Sequence, residues 1–439
     1  MHPIVERMAR FQERLNAAPL SVHLILFLAL YTIATVAVVA RYDGSPSALV
    51  RFGAYYAEQN PDLVPEGAIV LIGNEEFGGN GYDGQIFYYF ASTLFQPNKW
   101  PEGFSFAYRA PRVGYPLLVA PFSLLGPGPT VVGMLFVQIF LLGAGILALG
   151  RLLGPGQRWL LFFYTLSPFN LVSYLLLVSN SIQVSLCLIG YAFYRRMEQA
   201  GGTAYLRHAV LAFACFTLAI FSKESALFFL FPLGLEALFE RRLRRIVLLL
   251  GILIPPLLWQ LYLREAHGMV PARVLGIFLS PLDGVLGVLR ESLALIERLL
   301  QEPSPGAMLA LAKHGAKILL LLLMLFVVLS VISGRRREFL PERLALLLTL
   351  ASVLIADYYY FWGIFDNIMR MFTWFVPLMV LLGNRDAGSR TTPFFAILLL
   401  LFVFVFARVL LLTPTFPFAH FEIYDGPTYT QHVPRLQGF

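Results

Sequence analysis

The chain has 439 residues, 58% of them hydrophobic and 13% charged, with a formal net charge of +7 and a mean hydropathy of +0.71. A water-soluble domain of this length cannot hide so much apolar side chain, so a soluble globular protein is excluded and an all-α, polytopic membrane protein is predicted. The basic residues fall in short clusters between apolar runs, the positive-inside pattern, which argues against a nucleic-acid partner and for membrane lipids as the surroundings.

In chain order, Arg7, Arg10 and Arg14 precede the first apolar run, about residues 20–40. The N-terminus is therefore expected in the cytoplasm, and with no cleavage site after the run the first span is expected to stay. Residues 42–129 form a long first outer loop, too rich in aromatics to be disordered. Within it "VGYPLLVAPFSLLGPGP" (113–129) is too short and proline-rich to cross and reads as a re-entrant or interfacial segment. Crossings are then expected over 131–149, 159–178, 181–194, 208–221, 226–239 and 246–263. A second outer loop, 265–313, contains "LDGVLGVLRESLALIERLL" (282–300), whose apolar residues recur at helical spacing between charges, as in a helix lying at the interface. Crossings over 314–332, 344–362, 371–382 and 394–412 lead to an outer tail, 414–439. That makes about eleven spans in one domain, a cytoplasmic N-terminus and a periplasmic C-terminus, with every arginine cluster inside. The two halves show no repeat, which disfavours an inverted-repeat transporter. Only four basic residues are lysine and no Asn-x-Ser/Thr acceptor occurs, which points to a bacterial inner membrane. Cys187 and Cys215 lie within apolar runs and read as small buried residues.

Acidic residues gather in the first outer loop: Asp43, Asp62, Glu66, Glu75, Glu76, Asp83 and Glu102. Asp43 in "RYDGSPS" (41–47) follows the first span directly, and Asp83 in "GYDGQIF" (81–87) opens a block of aromatics. Flanking glycines let the backbone approach a ligand closely, although Asp-Gly also marks ordinary turns. "YRAPRVGYP" (108–116) adds Arg109 and Arg112, with headgroup anchoring as the alternative role. "FSKES" (221–225) places Lys223 and Glu224 at an outer hairpin turn, a costly pair at membrane depth unless used or paired. Arg370 in "FDNIMR" stands where an outer loop meets a span, beside Asp366 as an alternative partner. "DYYYFWG" (357–363) reads as an aromatic belt, and His420, Glu422 and Asp425 in the tail show no recognised ligand spacing.

The order of these motifs resembles the first luminal loop of the GT-C glycosyltransferases, closest to the group around GPI mannosyltransferase II and its bacterial relatives. "YDGS" (42–45) resembles the group's Tyr-Asp-x-Ser segment, and "YDGQIF" (82–87) its Trp-Asp-x-x-Tyr-Phe segment, with Tyr82 in place of Trp. "NIMRMFTWFVPLMVLL" (367–382) is similar to a late span of the family. The resemblance implies a membrane hexosyltransferase, mannose-like in its sugar, with a polyprenyl-phosphate-linked donor and a lipid-linked or cell-envelope glycan acceptor. Such a reaction needs a carboxylate to take the acceptor's proton, cations to receive the leaving phosphate and a dry pocket to align both substrates. Asp83 is the leading base. Asp43 is the second candidate, or a partner binding the acceptor or a divalent cation. Tyr82, Gln85, Tyr88, Arg109, Arg112, Lys223, Glu224 and Arg370 are the expected substrate-binding residues. A single displacement with one base and no enzyme nucleophile implies inversion. The rival readings are a transporter or flippase for a lipid-linked glycan and a non-catalytic envelope assembly protein.

Overall fold

The computed structural model describes residues 12–72, 81–96, 99–104, 109–268, 281–333, 340–385, 391–412 and 420–426. Apolar runs become helices because a backbone in lipid must satisfy its own N–H and C=O groups. The helices are α1 (Leu20–Val39), α2 (Ala54–Gln59), α3 (Asp83–Thr93), α4 (Gly114–Ser123), α5 (Pro127–Leu152) and α6 (Leu161–Thr165). They continue with α7 (Pro168–Leu175), α8 (Asn180–Met197), α9 (Gly202–Ser222), α10 (Leu227–Phe239), α11 (Leu243–Gly251) and α12 (Ile254–His267). The last are α13 (Asp283–Gln301), α14 (Pro305–Ser333), α15 (Pro341–Leu354), α16 (Phe365–Met371), α17 (Phe375–Arg385) and α18 (Thr392–Leu411). The protein is thus a polytopic, membrane-embedded helical bundle. Among the described residues, seven stretches are long and apolar enough to cross a bilayer: α1, α5, α9, α11 with α12, α14, α16 with α17, and α18.

The other four expected crossings are shorter or broken. Residues 159–178 divide into a 3-10 turn, α6 and α7, because Pro168 cannot continue a helix; Ser167 caps the new start, its Oγ accepting from Asn170 N at 3.3 Å. The run 344–362 stops at Leu354 and resumes as one π-helical turn, Tyr358–Trp362. Helices α8 and α10 have 18 and 13 residues, and both are lined by buried side chains. The segment expected to be re-entrant is a ten-residue helix, α4, packed on α3 and α5.

The all-α class expected from the sequence agrees with the described helices, to which one small sheet is added. Strand β1 (Phe52–Gly53) pairs in parallel with β2 (Ile69–Leu71), and β2 pairs antiparallel with β3 (Phe421–Ile423). Strands this short carry no readable period, yet Phe52, Ile69, Val70 and Leu71 are all buried. The sheet, α2 to α4, and the C-terminal ends of α1 and α18 share one end of the bundle; there Arg41 Nη2 donates to Leu410 O at 2.7 Å. At the opposite end Arg385 meets both Glu236 and Glu342 at 3.2 Å, and Arg245 pairs with Glu198 and Glu240.

Two glycines press the start of α3 onto its neighbours. Gly81 has φ +61°, and a Cβ there would lie 2.4 Å from Arg51 O. A Cβ on Gly84 would lie 2.6 Å from Leu176 O and 2.9 Å from Val50 O, both backbone atoms that cannot swing aside. Gly84→Ala is therefore expected to cost about 1–3 kcal/mol through overpacking. Gly128→Ala, with open space around it, is expected to stay within about 0.5 kcal/mol. Thermal melting of the two variants in detergent checks the contrast.

Candidate functional site

Asp83 is the first residue of α3, where the helix dipole favours an acidic side chain. The entry is pinned by backbone: Tyr82 N donates to Arg51 O at 3.1 Å, and Gly53 N donates to Gln85 Oε1 at 2.8 Å. The carboxylate faces a cavity of about 320 Å³ lined also by Arg109 and Arg112 before α4 and by residues of α8, α15 and α16. Asp83 Oδ1 accepts from Arg109 Nη2 at 3.1 Å, and Oδ2 accepts from Arg370 Nη1 at 2.5 Å. Burial pushes the carboxyl's pKa up, but the guanidiniums of Arg109 and Arg370 outweigh it and hold Asp83 well below the usual carboxylate range.

Each arginine is itself held. Arg109 and Arg112 stand in a tight turn (Arg112 N to Arg109 O, 3.0 Å) whose Ala110 carbonyl accepts from Trp259 Nε1 at 3.0 Å. Arg370, near the end of α16, donates through Nη2 to Asn367 Oδ1 at 2.9 Å and lies 5.0 Å from the Tyr82 ring centre. Tyr82 OH donates to that same Asn367 oxygen at 2.5 Å, and Asn180 Nδ2 donates to Arg370 O at 2.8 Å. Arg112 grips Glu224 with two bonds, 3.0 and 2.5 Å. Glu224 is open to the cavity over most of its side chain yet has protein on nearly all sides; burial raises its pKa, and Arg112 more than reverses that. Lys223 lines the same wall, and burial together with Arg112 and Arg370 brings its pKa down to about 7.

Three helical starts meet this wall: α3 at Asp83, α8 at Asn180, and the 3-10 turn Glu224–Ala226 that leads into α10. The first turns of these helices add positive partial charge to that of the three arginines, with Lys223 only partly charged near its pKa of about 7. The same lining also carries apolar side chains, Phe228, Ile355, Phe361, Met371 and Trp374, with Ser179, Gln183, Thr349 and Ser352 among them. Its Phe361 comes from the π-helical turn, which α13 anchors: Asp283 Oδ2 accepts from Tyr358 N at 3.0 Å, and Glu291 binds both Tyr358 OH and Lys317 Nζ, the latter at 3.0 Å. The segment expected to float at the interface thus packs on α14 and props the cavity. A cavity lined by both cationic and apolar side chains suits an anion carried on a hydrocarbon chain.

Of the residues singled out in the sequence, Asp83, Arg109, Arg112, Lys223, Glu224 and Arg370 line this cavity, and Tyr82 stands directly behind Arg370. Three do not reach it. Asp43 is exposed in a left-handed turn (φ +50°, followed by Gly44 at +77°), the ordinary Asp-Gly role, and lines no part of the cavity. Gln85 is buried against Gly53, and Tyr88 is buried with its OH donating to Leu63 O at 2.7 Å, so both are packing residues. Glu75 and Glu76 lie outside the described residues. Asp366 does not take Arg370; it accepts from Arg408 at 2.6 Å. Among the described residues no three His, Cys, Asp or Glu side chains gather as a metal site, and a carboxylate faced by two guanidiniums is a poor fit for a divalent cation. Asn180 and Asn367, which orient Arg370, carry no motif that spacing could reveal.

Lys223 gives the site a pH signature. Its pKa falls from the ordinary 10.5 to about 7 on folding, so between those values the unfolded chain holds a proton that the native protein has lost. This group therefore makes stability rise with pH across that window. Lys223→Met is expected to flatten the rise, and melting temperatures of both proteins from about pH 7 to about pH 10 measure it. The geometry alone carries the functional reading, since no family model, curated protein or solved structure matches the chain.

Proposed function

We propose that the protein is an inverting membrane glycosyltransferase of the GT-C type. It transfers a mannose-like hexose from a polyprenyl-phosphate donor to a lipid-linked or cell-envelope glycan. The observation that carries this reading is the Asp83 carboxylate, clasped by Arg109 and Arg370 in a cavity lined by both cationic and apolar side chains. A donor of this class needs both kinds of lining: cations for the phosphate and apolar side chains for the chain.

In the step itself, an acceptor hydroxyl oxygen bonds to the anomeric carbon as the bond from that carbon to the phosphate oxygen breaks. The bonding pair leaves with the phosphate, and the hydroxyl proton goes to Asp83. While it is paired with both arginines Asp83 is a weak base, because the two guanidiniums stabilise its ionised form. An arriving phosphate offers those guanidiniums a second anion, bound through charge-assisted and bidentate contacts. As they turn toward it, the proton affinity of Asp83 rises where the acceptor's proton is released. Arg112, Lys223 and the N-terminal ends of α8 and α10 add to the field that receives the leaving charge.

The orientation belongs to the same proposal: eleven crossings in a bacterial inner membrane, N-terminus cytoplasmic, cavity and C-terminus periplasmic. Supporting it, Arg195, Arg196 and the "ERRLRR" segment (240–245) sit at the bundle end opposite Asp83, as the positive-inside rule asks of a cytoplasmic face.

Reconstituted full-length protein, given a labelled polyprenyl-phosphate hexose and a lipid-linked glycan, is expected to form a labelled glycan. Asp83→Asn is expected to slow this by about 10²–10⁴-fold while melting as a folded protein. Should that variant fail to fold, Arg370→Lys, which keeps the charge and loses the planar fork, is expected to raise KM for the donor. Transfer by Asp83→Asn at the unsubstituted rate would sink the proposal. Movement of intact donor across the vesicle bilayer without label transfer would do so in favour of a transporter.

A further inference from the structure

Uncharged polar side chains share the Asp83 cavity with the cations: Ser179, Asn180, Gln183, Ser225, Thr349 and Ser352. The displacement step gives them no task beyond Asn180's hold on Arg370. Thr349 and Ser352 turn their hydroxyls back onto α15, donating to Ala345 O at 2.8 Å and to Thr349 O at 2.7 Å. The other four keep bonding capacity in hand. Ser179, just before α8, is 2% exposed, yet its hydroxyl has no hydrogen bond to any described residue. Asn180 is 4% exposed; it donates through Nδ2 to Arg370 O at 2.8 Å, and its Oδ1 has no partner among the described residues. Gln183 is 1% exposed and meets Ser225 Oγ with both ends of its amide, Nε2 at 2.8 Å and Oε1 at 3.1 Å. The second N–H of that amide has no described acceptor.

Polar atoms taken out of water and left unbonded are costly. Ser173 and Ser185 also have unbonded hydroxyls, but they are sealed in the core and line no part of this cavity. Ser179, Asn180 and Gln183 border space that a ligand can enter. What they offer is a mixed set: a hydroxyl that both donates and accepts, an amide oxygen that accepts and an amide N–H that donates. A phosphate only accepts, and a hydrocarbon chain does neither. A sugar hydroxyl does both.

The bonding partners of these residues say which sugar. Asn180 holds the backbone of Arg370, and Ser225 directly follows Glu224, which Arg112 grips. The neutral groups are thus tied at one end to Arg370 and at the other to the Arg112–Glu224 pair, with Gln183 bonded to Ser225. In the donor the hexose is joined directly to the phosphate that the cations receive, so its hydroxyls come within reach of the start of α8.

We infer that Ser179, Asn180, Gln183 and Ser225 form the subsite that binds the hydroxyls of the donor's hexose. The inference rests on the transferase reading and separates two tasks within its cavity: Asp83 and the arginines serve the reacting bond, and the start of α8 selects the sugar. Such a subsite discriminates because a donor lacking the matching hydroxyl strands its buried polar groups. The test uses purified full-length protein in a neutral detergent, with polyprenyl phosphate, polyprenyl-phosphate mannose and a lipid-linked glycan as probes and native mass spectrometry to read their retention. The unsubstituted protein is expected to hold the mannose-bearing lipid more tightly than bare polyprenyl phosphate. Gln183→Leu is expected to weaken the mannose-bearing lipid about two- to tenfold, the effect of one hydrogen bond, and to leave bare polyprenyl phosphate unchanged. Arg370→Lys is expected to weaken both. Melting of the lipid-free variants verifies the fold; if Gln183→Leu does not fold, Ser179→Ala, which removes a single oxygen, is expected to show the same sugar-dependent loss. Equal losses for the two lipids, or no loss for either, would overturn the inference and leave the transferase reading standing. A loss confined to the lipid-linked glycan would overturn it too, giving these groups to the acceptor. Retention of neither polyprenyl lipid by the unsubstituted protein would overturn both readings together.

Discussion

A carboxylate removed from bulk water must find cations or give up its charge, and much of the architecture at this end of the bundle follows from how Asp83 meets that demand. Its two guanidinium partners come from different parts of the chain, Arg109 in the segment before α4 and Arg370 on α16. The pairings draw three segments onto one point and leave the carboxylate at a cavity instead of in a sealed core. Gly81 and Gly84 let α3 start close enough to Arg51 and Leu176 for this to happen, and Asn367 and Asn180 fix Arg370 in place.

The charged groups at the two ends of the bundle differ in kind. At the far end Arg385 lies between Glu236 and Glu342, both nearly or fully buried, which ties α17 to α10 and α15. Buried pairs of this sort hold a register and are costly to break. At the Asp83 end the described lining of one cavity holds Arg109, Arg112, Lys223 and Arg370 beside Asp83 and Glu224. These charges face a cavity, whereas Arg385 lies between two buried carboxylates.

How much of this could be read beforehand depends on range. Apolar runs made the long helices legible because a span writes its own length and composition into consecutive residues. The amphipathic period over 282–300 likewise announced α13. What no local pattern held was partnership. Arg370 stands 287 residues from Asp83, and the sequence offered it Asp366, four positions away and already taken by Arg408. Asp43 and Asp83 share the tripeptide Tyr-Asp-Gly, yet one caps a turn in water and the other opens a helix inside a cavity. Their tripeptides are identical; the three-dimensional surroundings differ. The break at Pro168 was written locally, in the proline itself, whereas the break after Leu354 and strands only two or three residues long were invisible because tertiary packing defines them.

Strand β3 comes after the last helix and completes the sheet begun by residues 52–53 and 69–71. Gly67 N and Ile72 N both donate to its flanking carbonyls, those of Tyr424 and His420. In a chain made from its N-terminus, this edge of β2 has to wait, unpaired, until more than three hundred further residues have been synthesised and the bundle threaded into lipid. Completion of the three-stranded sheet is thus a late event in biogenesis, and an interrupted polypeptide would reach the membrane with its helices but with β2 unpaired on this edge.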